Sequence, residues 1–113
     1  MIPEHIMEDV RLELARAAEA QQEGNEGMAR VCARRAAGKA LSAHLENFPH
    51  PEWGTSAVNR LAGLELDSTM PPDVRQAAAR LTARVDKDHQ LPFAADPISD
   101  AEAIIRHLES LTS

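Results

Sequence analysis

The feature that most constrains the fold is a helical spacing of apolar residues, which is broken only where glycine or proline occurs. Apolar residues recur every three or four positions in five segments, which is typical of amphipathic helices. The predicted helices cover about residues 4–23, 28–46, 56–66, a fourth stretch through Val74, Ala78, Leu81 and Val85, and a last one from about Ser99. No stretch of useful length alternates apolar and polar residues with the period of two that a β-strand shows. The sequence therefore predicts an all-α fold, a four- or five-helix up-and-down bundle.

The second predicted helix carries two apolar stripes. One is made of larger residues such as Val31, Leu41 and Leu45, and the other is made of alanines at helical spacing (Ala29, Ala33, Ala36, Ala40 and Ala43). Two stripes indicate neighbours on more than one side, so this helix is expected at the centre of the bundle. Only 3% of the residues are aromatic and none is tyrosine, which favours packed helices over a β-sandwich. A length of 113 residues predicts a single domain, residues 1–113.

Charge and targeting signals narrow the function classes. The net charge is −6, which disfavours a nucleic-acid partner held by bulk electrostatics. The single cysteine, Cys32, cannot form an internal disulfide and is expected as a small core residue. The start of the chain lacks the basic and apolar regions of a signal peptide, and no apolar run approaches the roughly 20 residues of a membrane span. These features predict a cytoplasmic protein without a membrane partner.

The segment CARRAAGKALSAHL, residues 32–45, resembles the second helix of HEPN domains, and EGNEG before it resembles their glycine-bearing turn. DAEAIIRHL, residues 100–108, resembles their final helix. The resemblance implies a bundle that is often dimeric and is similar to the substrate-binding subunits that accompany minimal nucleotidyltransferases. Many relatives have a glutamate where this chain has Gly38. Either a neighbouring backbone approaches closely there, or the alignment is loose.

Some HEPN proteins are metal-independent ribonucleases with an Arg-x4-6-His motif, and RVDKDH at residues 84–89 has that spacing. In such chemistry His89 would move a proton while Arg84 holds the phosphate. On a continuous helix, however, five steps separate the two side chains by about 140°. They could converge only if the helix ended between them or a second subunit completed the site. The interpretation we favour is the solvated end of a helix.

A second candidate site is the dense basic group Arg30, Arg34, Arg35 and Lys39. Arginine side chains at this spacing line adjacent helix faces and suit an anion such as a nucleotide phosphate. The alternative, which the excess of acids favours, is that these cations pair with helix-one acids such as Glu13, Glu19 and Glu23.

No His-x3-His or Cys-x2-Cys spacing supports a metal site, so we expect no metal and no cofactor. Trp53, the sole tryptophan, lies in a loop. We expect it to cap the bundle by packing on helices two and three, the alternative being a partner surface. The sequence therefore favours a non-catalytic binding or accessory module that forms a homodimer and binds a nucleotide or a nucleotidyltransferase partner. The alternative is a toxin-like ribonuclease using Arg84 and His89.

Overall fold

The protein is described by a computed structural model that covers residues 2–84, 91, 93–94 and 96–111. These residues form five α-helices and one short 3₁₀ turn, and they contain no strand, which confirms the all-α prediction. The elements are α1 (Glu4–Gln22), α2 (Glu26–Asn47), the 3₁₀ turn (Pro51–Trp53), α3 (Ala57–Leu66), α4 (Pro72–Thr82) and α5 (Pro97–Ser110). Among the helices of the described residues, none combines the length and apolar character that spanning a membrane requires.

Helix α2 lies at the centre of the bundle, as its two apolar stripes predict. It contacts all four other α-helices. Its predicted alanine stripe is buried, and its largest fully buried side chain is Leu41. Alanine allows helix backbones to approach closely at little cost in side-chain entropy, so a helix surrounded on several sides is best built from it.

The turn between α1 and α2 is short because both helix ends are capped locally. Gly24 has a φ of +76°, a conformation that glycine adopts without a Cβ penalty. Its N–H donates to the carbonyl of Gln21, and the Asn25 N–H donates to that of Ala20, which is a Schellman motif. The Asn25 side chain then accepts the N–H of Met28 and caps the first turn of α2.

Helices α2 and α3 approach closely at Gly38. A Cβ atom added to Gly38 would lie 2.8 Å from the Cβ of Ala57 and 3.7 Å from its Cα. Arg60 of α3 reinforces this contact, because its Nη1 donates to Ser42 Oγ (2.6 Å) and its Nε donates to the carbonyl of Gly54 (3.1 Å). The close approach that Gly38 suggested is therefore present, and it is made by the first residue of α3.

Three predicted helix boundaries are wrong. Helix α2 was expected to begin at about Met28, but it begins at Glu26. Helix α4 was expected to reach Val85, but it ends at Thr82, and Ala83 has an extended backbone (φ −61°, ψ 141°). Val85 itself lies outside the described residues. Helix α5 was expected to begin at a Ser99 capping box, but it begins two residues earlier at Pro97. The Asp96 side chain accepts the Ser99 N–H, and proline at the first helical position suits a helix start, so the Asp-Pro pair begins this helix.

Candidate ligand-binding groove

The structure divides the four basic residues of α2 by role. Arg30 is buried, with 9% of its surface exposed. Its Nη2 donates to the carbonyl oxygens of Arg80 (3.0 Å), Leu81 (3.1 Å) and Ala83 (2.8 Å). Carbonyls at a helix C-terminus lack intrahelical partners, so Arg30 caps α4 and allows it to end at Thr82. Arg30 is thus a structural residue, and the prediction that it binds a ligand is not supported by its position.

Among the described residues no ion pair joins these cations to the acids of α1, although Arg35 lines a shallow pocket together with Glu19 and Glu23. Glu13 is 5% exposed, and its Oε1 instead accepts from Nη1 of Arg16, on its own helix, at 2.9 Å. Its Oε2 is buried without a hydrogen-bond partner in the described structure. Glu13 lies three residues after Val10 and four before Ala17, so helical spacing already placed it on the buried face of α1.

Arg35 and Lys39 are exposed and lie one turn apart on α2, whereas Arg34 is half-buried. Within the part of the chain that the structure describes, neither Arg35 nor Lys39 makes a hydrogen bond or an ion pair. Both side chains line a groove of about 450 Å³ between the start of α1, the middle of α2 and the start of α3. We call this the α1–α2–α3 groove. Gly38, which lies between the two cations in sequence, also lines it.

The α1–α2–α3 groove carries charges of both signs. Besides Arg35 and Lys39, it is lined by the carboxylates of Asp9 and Glu46 and by the imidazole of His5. Lysine and arginine are positively charged at neutral pH, so the groove offers two cations to an anionic group of a ligand. The two acids oppose a ligand that carries negative charge along its whole length, and they suit one with a localised anion.

The other predicted pair is described only in part. Arg84 is exposed and lies two residues beyond the end of α4, and His89 lies outside the described residues. Arg84 therefore does not lie on α4, and the residues that join it to His89 lie outside the described part of the chain.

Trp53 packs on α3, one of the two helices that it was expected to cap, and within the described residues the 3₁₀ turn that carries it contacts α3 and not α2. A Cβ added to Gly63 would overlap the Trp53 ring atoms Cγ and Cδ2, so the glycine leaves the space in which the indole lies. The imidazole of His50 stacks on Trp53 with ring centroids 4.1 Å apart and planes 7° from parallel. The side chain is half-buried and packs against the core.

His44 is a buried titratable residue of α2. It is 7% exposed, its Nδ1 has no hydrogen-bond partner in the described structure, and its ring stacks on Phe48 at 4.9 Å. Burial, with smaller contributions from His50 and His107, lowers the pKa of His44. Cys32 is 3% exposed, which confirms it as a core residue. The described residues contain no cluster of three histidine, cysteine or acidic side chains arranged to hold a metal.

Comparison with models of protein families, with curated proteins and with solved structures finds no match for this chain.

Proposed function

We propose that this chain is a non-catalytic binding module whose α1–α2–α3 groove holds the anionic group of a nucleotide. The observation that carries the proposal is the pair Arg35 and Lys39, which are exposed, one turn apart and engaged by no acid among the described residues. A planar guanidinium and a flexible ammonium are well suited to one phosphate group.

The groove also supports a restriction on the ligand. Asp9 and Glu46 share the groove with the two cations. A single phosphate can contact Arg35 and Lys39 while its neutral base and sugar occupy the remaining volume. A chain of phosphates would meet the two acids, and like charges repel. The proposal is therefore a mononucleotide, with nucleic acid disfavoured by both the groove and the net charge of −6.

The HEPN resemblance of residues 32–45 and 100–108 remains part of this proposal. We take as its model the substrate-binding subunits of that family, so the chain would be a dimeric accessory subunit associated with a nucleotidyltransferase. The ribonuclease alternative requires His89 beside Arg84. The exposure of Arg84 just beyond α4 is the observation in its favour.

The test is a calorimetric titration of the protein with AMP at low salt, where exposed charges are least screened. Saturable binding that Arg35→Gln and Lys39→Gln each weaken by about fivefold or more supports the proposal. Arg106→Gln removes an exposed cation of α5 and is the matched control. Absence of AMP binding, or equal losses in all three variants, would refute it. Hydrolysis of mixed RNA that is lost in both Arg84→Ala and His89→Ala would replace it with the ribonuclease.

A further inference from the structure

A second groove lies between the 3₁₀ turn and α3, and the proposed nucleotide does not use it. Its volume is about 660 Å³, and its apolar surface comes from Trp53, Ala62 and Leu66. Leu66 is 78% exposed, the largest value among the exposed large apolar residues of the described chain. We call this the Trp53 groove. A leucine exposed to this extent beside an indole offers apolar area that a partner could bury.

The ionisable residues of the Trp53 groove are two acids and one histidine, and neither lysine nor arginine is among the described residues that line it. Glu52 accepts a hydrogen bond from its own backbone amide and contacts His50 Nδ1 at 3.0 Å, and both interactions lower its pKa. Asp67 accepts from the hydroxyl (2.7 Å) and the backbone N–H (3.0 Å) of Thr69, which lower its pKa. Both carboxylates are therefore ionised at neutral pH.

We infer that the Trp53 groove binds a protein segment in which a bulky aliphatic side chain lies next to a lysine or arginine. The aliphatic side chain would pack between Leu66 and Ala62, and the cation would reach Glu52 or Asp67. The sign of the charges selects this occupant. An acidic segment would be repelled by both carboxylates, and an uncharged apolar segment would gain no attraction from them.

The two grooves therefore differ in chemistry. Arg35 and Lys39 provide the α1–α2–α3 groove with its two strong cations, whereas the Trp53 groove has acids without lysine or arginine among its described lining residues, together with the exposed Leu66. A segment attracted to the Trp53 groove would avoid the cations of the other. The module would thus hold an anionic small ligand and a basic partner at separate places, and either could be absent without loss of the other.

The sole tryptophan of the chain makes the test direct, because all indole fluorescence arises in this groove. The full-length protein is titrated with three synthetic peptides of equal length: one of alternating leucine and lysine, one of alternating leucine and glutamate, and one of alternating serine and lysine. We expect a saturable change in Trp53 emission with the leucine–lysine peptide, with a Kd of about 1 mM or below. The other two peptides should give none.

The variants locate the response. Leu66→Ser should weaken peptide binding by about tenfold, and Glu52→Gln and Asp67→Asn by about twofold to fivefold each. Glu8→Gln removes an exposed acid from α1 and should leave the affinity for the peptide unchanged. The emission maximum of each free variant shows whether the indole keeps its place on Gly63. The inference is overturned if the leucine–lysine peptide does not bind, if the leucine–glutamate peptide binds equally well, or if Glu8→Gln weakens binding as much as the groove variants.

Discussion

Replacing Arg30 by methionine should destabilise the bundle far more than the same replacement one turn later, at Arg34. Both residues are arginines of α2, and methionine keeps most of the length of the aliphatic chain in either case. Arg30 donates from Nη2 to three carbonyl oxygens at and beyond the end of α4. Arg34 is half-buried and makes no hydrogen bond or ion pair within the described residues. The comparison therefore isolates the capping of α4.

The magnitude follows from the geometry. The Nη2 group has two hydrogens, so its three contacts amount to about two charge-assisted hydrogen bonds, each worth about 1.5–3 kcal/mol. Burial lowers the pKa of Arg30, which means that enclosing the guanidinium costs free energy that methionine recovers. The net loss should be about 2–4 kcal/mol. For a chain of this size that lowers the melting temperature by roughly 8–16 °C. Arg34→Met should change the free energy of unfolding by about 0.5 kcal/mol or less.

Urea unfolding followed by circular dichroism at a helix-sensitive wavelength measures both variants. The nearby charge of Arg34 also lowers the pKa of Arg30, so Arg34→Met removes a repulsion and could even stabilise the fold slightly. Equal destabilisation by the two variants would show that the capping of α4 by Arg30 contributes nothing beyond loss of one cation. In that case Arg30 would return to the group of candidate ligand-binding residues.

Three further predictions concern packing, pH and the contact between α4 and α5. Gly38→Ala should lower the free energy of unfolding by about 1 kcal/mol, because overlap with α3 exceeds the gain in helix propensity. Gly27→Ala should raise it by about 0.5 kcal/mol, because the nearest atom to its added Cβ, Asn25 Oδ1, lies at an ordinary contact distance of 4.0 Å. Because burial lowers the pKa of His44, the contribution of its neutral form to stability is complete above the unfolded pKa of about 6.5 and is lost as the pH falls below that value. Urea midpoints should therefore fall less steeply from pH 7.5 to pH 5 in His44→Leu than in wild type. The exposed control His5→Leu should behave as wild type does. Asp100 accepts from Nε and Nη2 of the half-exposed Arg80 at 2.8–3.1 Å. Asp100→Asn removes the charge from this bidentate pair and should lower the free energy of unfolding by about 1–2 kcal/mol in the same assay.

Each of these has an outcome that contradicts it. A stabilised Gly38→Ala would mean that α3 moves away from α2 at little cost. An unchanged pH slope in His44→Leu would place the acid sensitivity in other groups. An Asp100→Asn variant as stable as wild type would show that the pair with α4 contributes no net free energy.

Local spacing was sufficient to predict the helices themselves. The apolar period, the Gly24 turn and the proline-containing segments indicated five helices, and the alanine stripe indicated that α2 is central. The start of α5 could also have been predicted locally, since Asp96-Pro97 is a strong helix-start signal, although the Ser99 capping box was preferred to it. These features depend on residues within a turn or two of one another, so the local sequence is sufficient to predict them.

The end of α4, the role of Arg30 and the composition of both grooves depended on tertiary structure. The apolar period through Val85 favours a longer α4, whereas the guanidinium of Arg30, from 50 residues earlier, donates to carbonyls at the point where the helix ends at Thr82. Helical spacing within α2 places Lys39 and Glu46 on one face, seven residues apart, but nothing local brings Asp9 of α1 to Arg35 and Lys39. Helical periodicity determines which face of a helix is buried. Which polar side chain meets a given partner is decided by how the helices pack, and that depends on contacts between residues far apart in the chain.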